Sequence, residues 1–242
     1  MEREMLLYYI RHGDPIYEPE CLTELGHKQA NALAKRLALY GLDRIYSSTA
    51  LRARQTAQPT CKFLHKEMAL LDWAHEATAW EYFTLIDKNG NYKFAFQDYE
   101  TVTQFNNPEV LALGKEWYRH DYFQKTKYKQ GVLTVDKKAD EFLLSLGYKH
   151  DRKNNRYEVI KTNDERVALF AHQAFGMAFL SSILDISYPM FCTKFDMGHS
   201  SVTVIHFEEK EEFVYPRVLQ LSNDSHLYKE EILTGYHNLI NI

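Results

Sequence analysis

A chain of 242 residues, 45% hydrophobic and 26% charged, can bury a sizeable core without disulfide staples. Its formal charge of -4 excludes a general basic field for a polyanion such as DNA and still allows a local positive pocket. Cys21, Cys61 and Cys192 are widely spaced and odd in number, so neither a disulfide framework nor a metal-spaced cluster is expected, and the reading is a reduced, cytoplasmic protein.

Met5 to Ile10 (MLLYYI) is an apolar run flanked by charge, too short for a signal peptide or a membrane span. It predicts a strand buried on both faces, ending at Arg11-His12-Gly13. A loop with Pro15 and Pro19 follows. Thr23 then precedes a helix with Leu25, Ala30, Leu33, Ala34, Leu37 and Ala38 on one apolar stripe and Gly41 at its close. Asp43 to Ser47 reads as a second strand, Ser48 or Thr49 opens a helix running to Lys66, and Met68 to Leu71 is a third strand. From Glu81 to about Asp164 the pattern loosens. Turn signals stand at Lys88 to Asn91 and Lys153 to Asn155, and helices are expected over Pro108 to Tyr118 and Val135 to Leu146. Arg166 to Ala171 is a strand, Ala174 to Leu184 an apolar helix, and Ser200 to Phe207 and Phe213 to Leu221 two late strands. Strand and helix alternate at both ends of the chain. The expected class is therefore α/β: a three-layer α/β/α sandwich with a mostly parallel central sheet.

Three segments carry chemistry. Arg11-His12-Gly13 sits at the C-terminal end of a buried strand, the edge where open α/β sheets bind ligands. Ser47 to Ala57 follows a strand and opens a helix, whose free N–H groups and positive dipole end suit an anion. Arg52, one turn in, can point back to that place. Arg54 lies about 200° further round the helix and reads as a surface residue. Val167 to Gly176 repeats the arrangement, a buried strand ending on His172 before a helix.

In order, these segments resemble the histidine phosphatase superfamily, also called phosphoglycerate mutase-like. The resemblance rests on Arg11-His12-Gly13, then Ser48, Arg52, Ala53, Thr56 and Ala57, then Glu76, then His172. Leu22 to Ala30 is similar to the family's entry into its first helix. The likeness spans roughly Leu6 to Trp80 and Arg166 to Phe207. Two departures stand out: no Asn follows in the loop Asp14 to Cys21, and Gln173 replaces the usual Gly after the late His.

The resemblance implies a phosphomonoester hydrolase without metal or cofactor, working through a phosphohistidine on His12. Arg11 and Arg52 would bind the phosphate oxygens, and His172, if protonated, would add a third donor. Glu76 is the expected general acid from its family-like spacing, with Glu81 as a rival. It also implies one domain over 1–242 with a cap inserted at about 82–165. That insertion is rich in aromatic and basic side chains, which offers walls for the pocket as well as core. The expected partner is a small phosphorylated metabolite, with no nucleic acid and no membrane; oligomeric state is left open. Alternatives are a phosphoglycerate mutase-type transfer and a non-catalytic phosphate-binding protein on the same fold. A metal hydrolase on His12, Asp14, His75 and His172 lacks a defining ligand spacing.

Overall fold

Two-sided burial of the apolar runs builds the central sheet, seen here in a computed structural model that describes residues 4–235. The expected domain limits, Met1 and Ile242, lie outside the described residues. Six strands run in the order Arg217–Asn223, Val202–Phe207, Met5–Arg11, Arg166–Ala171, Arg44–Ser48 and Met68–Leu71. The last four of these are mutually parallel, while Val202–Phe207 pairs antiparallel with both of its neighbours. The sheet is mostly parallel, as expected.

Alternate residues of the central strands face opposite layers. Tyr8, Ile10, Ala168 and Phe170 pack with Leu33, Leu37, Ala57 and Cys61, which come from helices Glu24–Tyr40 and Leu51–Leu64. Leu7, Tyr9, Val167 and Leu169 pack with Phe142, Leu143, Phe175 and Phe179, from helices Tyr128–Ser145 and Gln173–Ile183. These are the three layers of the α/β/α sandwich. Helix Glu24–Tyr40 begins where its cap predicts: Thr23 accepts from the Gly26 N–H, and Gly41 closes it at φ 71°.

The middle of the chain departs from the reading. The helix expected over Pro108 to Tyr118 is two pieces, Pro108–Ala112 and a 3-10 segment Gly114–Arg119, broken at Gly114 with φ 56°. The helix expected from Val135 starts at Tyr128, because Gly131 lets it press against Tyr82 and Phe83. The late run Phe213 to Leu221 divides into Phe213–Val214, which joins a separate four-stranded sheet, and Arg217–Asn223. Phe83, Phe105, Trp117, Phe123 and Tyr128, all within the expected insertion, are fully buried in the same cluster as Leu7 and Tyr9. Among the described residues no helix is long and apolar enough to cross a membrane.

Candidate active site

Strand register brings the two histidines together. Arg11 pairs with Ala171, and the His12 N–H donates to the Ala171 carbonyl at 3.0 Å, so His12 and His172 leave adjacent strands at one edge. Their rings lie 5.2 Å apart. The next strand aligns Ser47 with Phe170, which places Ser48 beside His172. Both histidines are buried.

Gly13 answers a packing demand. A Cβ there would lie 2.8 Å from the Gly26 carbonyl, so the turn after His12 lies directly on the start of helix Glu24–Tyr40. The Gly13 N–H donates to Thr56 Oγ1 at 2.9 Å, tying that turn to helix Leu51–Leu64.

The hydrogen bonds fix the tautomers. His12 Nδ1 lies 2.7 Å from the Gly13 carbonyl, an acceptor only, so Nδ1 carries the proton and Nε2 presents its lone pair. Arg52 Nε donates to that Nε2 at 3.2 Å, and Arg52 Nη2 lies 3.0 Å from His172 Nδ1. The guanidinium can only donate, so the His172 proton sits on Nε2, 2.8 Å from Ser48 Oγ. Burial first, then Arg11, hold His12 well below the usual histidine range. Burial, His12 and Arg52 do the same to His172. His172 is therefore a neutral ring donating from Nε2, whereas the sequence reading allowed for a protonated one.

Arg11 reaches the same edge. Its Nη1 donates to the Met197 carbonyl at 2.5 Å and its Nη2 to His199 Nε2 at 2.9 Å. Glu76 arrives from helix Glu76–Phe83, which His75 caps through Nδ1 and the Ala77 N–H at 3.0 Å. The Glu76 carboxylate accepts from the Ala174 N–H at 3.1 Å and the Phe175 N–H at 2.8 Å, in the first turn of the helix that follows His172. Burial raises its carboxyl above the ordinary glutamate range, although those two N–H groups pull it back. Glu81 is exposed on the same helix and joins none of these contacts. Arg54 is half-buried and likewise outside the cluster.

Four residues unread in the sequence complete the surroundings. The His199 ring lies 5.7 Å from that of His12, tilted by 30°, with Nδ1 3.4 Å from Asp14 Oδ1. Tyr9 Oη donates to the His172 carbonyl at 2.6 Å and accepts from its N–H at 3.2 Å, fixing that backbone. Glu20 pairs with Arg52 Nη1 at 2.8 Å. Asp196 binds the Gln173 side-chain amide. Of the residues in the metal reading, Asp14 Oδ2 is taken by the Thr23 hydroxyl at 2.7 Å and His75 Nδ1 by its helix cap. Among the described residues no group of three or more His, Cys, Asp or Glu is placed to hold a metal ion.

The sequence of residues 7–122 matches the family model of the histidine phosphatase superfamily, branch 1. Over that stretch, a little under half of the chain, it is similar to the histidine phosphatase superfamily. Solved structures repeat the likeness at the level of fold. A phosphoserine phosphatase from Entamoeba histolytica, crystallised with 3-phosphoglyceric acid, superposes with a TM-score of 0.57 at 20% identity, over 92% of this chain and 99% of that one. A mycobacterial glucosyl-3-phosphoglycerate phosphatase gives 0.58 at 18% identity, over 92% of this chain and 99% of that one. No curated protein matches in sequence. In this chain the paired strand-end histidines, the two arginines and Glu76 converge on one sheet edge.

Proposed function

We propose that this chain is a phosphomonoester hydrolase that forms a phosphohistidine on His12 Nε2. The observation that carries the proposal is the His12 imidazole: neutral, with Nδ1–H locked on Gly13 and Nε2 turned toward Arg52 beside His172. In the first step Nε2 attacks phosphorus and the ester P–O bond breaks, while a protonated Glu76 gives its proton to the leaving oxygen. Arg11, Arg52 and the His172 Nε2–H balance charge on the equatorial oxygens, so the step needs no metal ion. In the second step water attacks phosphorus, its proton passes to the Glu76 carboxylate, the N–P bond breaks and orthophosphate leaves.

We propose further that the substrate is a small phosphorylated metabolite, and that the insertion at about 82–165 walls its leaving-group side within a single domain. Support comes from Phe96 and Gln97, which share a cleft of about 370 Å³ with Gln173 and Asp196. The solved relatives named for phosphoserine and glucosyl-3-phosphoglycerate fit that substrate class. Free Cys21, Cys61 and Cys192 fit a cytoplasmic setting.

The test is a labelling experiment. A ³²P-labelled phosphomonoester should leave acid-labile, base-stable label on the wild type and none on His12→Ala, with turnover lost in that variant. Undiminished turnover by His12→Ala would end the mechanism. A 3-phosphoglycerate assay with and without bisphosphate primer separates hydrolysis from mutase transfer. Phosphate binding without turnover of any ester would leave a binding protein.

A further inference from the structure

Each nitrogen of the Arg52 guanidinium faces a partner inside the protein. Nε faces His12, Nη2 faces His172, and Nη1 holds the Glu20 carboxylate at 2.8 Å. The same Glu20 oxygen lies 3.4 Å from the Arg52 backbone N–H, in the first turn of helix Leu51–Leu64. Glu20 thus sits where a guanidinium and a helix N-terminus jointly favour an anion. Its charge also acts on His75, across the cluster.

The element that carries Glu20 is a surface hairpin held to the core at Leu22. It consists of two three-residue strands, Pro15–Tyr17 and Glu20–Leu22. Ile16 and Tyr17 on that hairpin are 41% and 65% exposed, and the Glu20 side chain is 34% exposed against 8% for Arg52. The hairpin is anchored at its base, through the Leu22 N–H to Gln55 Oε1 at 2.7 Å and the Thr23 hydroxyl to Asp14. The side chain can leave Arg52 for solvent without uncovering core. Arg52, in contrast, is pinned between the two histidines.

We propose that Glu20 is an internal competitor of the phosphoryl group: its carboxylate yields Arg52 to the incoming phosphate and reclaims it as orthophosphate departs. This rests on the phosphatase reading of the same site. A phosphate dianion on Arg52 and a carboxylate on the same guanidinium repel one another, so occupancy by either weakens occupancy by the other. The energy that Glu20 recovers on returning to Arg52 is subtracted from orthophosphate binding. Glu20 therefore weakens product retention and favours a hydrolase over an enzyme that keeps its phosphoryl group.

The competing possibility is that Glu20 only positions Arg52, and the two make opposite predictions. Glu20→Gln and Glu20→Ala should bind orthophosphate more tightly than the wild type, by about fivefold, the size of a part-exposed ion pair. Both calorimetric Kd and product-inhibition constant should show it, and kcat should fall where phosphate release limits turnover. The gain should shrink at high salt. Weaker or unchanged phosphate binding in both variants, with folding verified by thermal melts, overturns the proposal. Turnover of p-nitrophenyl phosphate by the wild type tests the phosphatase reading separately. Activity without the gain would sink only the role of Glu20, and tighter phosphate binding without any turnover would sink only the hydrolase.

Discussion

Replacing Glu76 by Gln separates proton donation from every other contribution of that side chain. The carboxylate spans two N–H groups, Ala174 at 3.1 Å and Phe175 at 2.8 Å. The glutamine amide retains one acceptor and sets an NH₂ against the other donor, leaving one helix-terminal N–H unpaired at a cost of about 1–3 kcal/mol in stability. The chemical loss is larger and selective. An alkyl phosphate, whose leaving oxygen needs a proton, should lose about 10²–10⁴ in kcat/KM, a barrier increase of roughly 3–5 kcal/mol. p-Nitrophenyl phosphate leaves as a stable anion and should lose less than about tenfold. The assay is kcat/KM for both esters across a pH series, with thermal melts to confirm folding. For the alkyl ester the wild-type profile should rise as His12 deprotonates, below the ordinary histidine range, because burial and Arg11 hold its pKa down. It should fall as Glu76 deprotonates, above the ordinary glutamate range, because burial holds that carboxyl up. The variant should keep the first limb and lose the second. Equal losses for both esters, or the selective loss appearing in Glu81→Gln instead, would refute the assignment.

Activity should survive exhaustive EDTA treatment if, as proposed, Arg11 and Arg52 supply the charge and His172 a neutral N–H donor; loss restored by one divalent ion would favour a metal hydrolase. Gly176→Ala places a Cβ 2.6 Å from Tyr9 Oη. Because Tyr9 fixes the His172 backbone, the variant should lose about 1–3 kcal/mol of stability together with kcat; an unchanged kcat at reduced stability would release Tyr9 from any part in holding His172. Burial lowers His226 to about 4, so the unfolded chain takes up a proton below about 6.5 that the folded chain refuses. That contribution is complete above about 6.5 and is lost as pH falls to about 4, a cost of about 3 kcal/mol. Urea melts at both ends of this window should show a smaller acid loss in His226→Gln than in the wild type.

What was legible in the sequence was what burial writes into a local pattern. Met5–Arg11 and Arg166–Ala171 are apolar on both faces, so their strands, and a histidine at the end of each, follow from composition alone. Thr23 and Gly41 mark their helix because caps act within a few residues. The hairpin Pro15–Tyr17 with Glu20–Leu22 was invisible, since short exposed strands leave no hydrophobic period. Glu20 was lost with it, because its partner Arg52 lies 32 positions away. Much of the insertion's aromatic content proved to be core, as Trp117 and Phe105 show, while Phe96 lines the cleft beside Gln173. His199 is the instructive omission. It stands just before Val202–Phe207, at the N-terminal end of a strand, where a parallel sheet would carry it away from the active edge. That strand runs antiparallel to Met5–Arg11, with Val202 opposite Ile10, so its entry and not its exit meets His12. Strand direction is absent from an apolar run, which reads the same either way. Once the direction is known, a histidine three residues ahead of that strand falls on the edge of the candidate site for the same reason that His12 and His172 do.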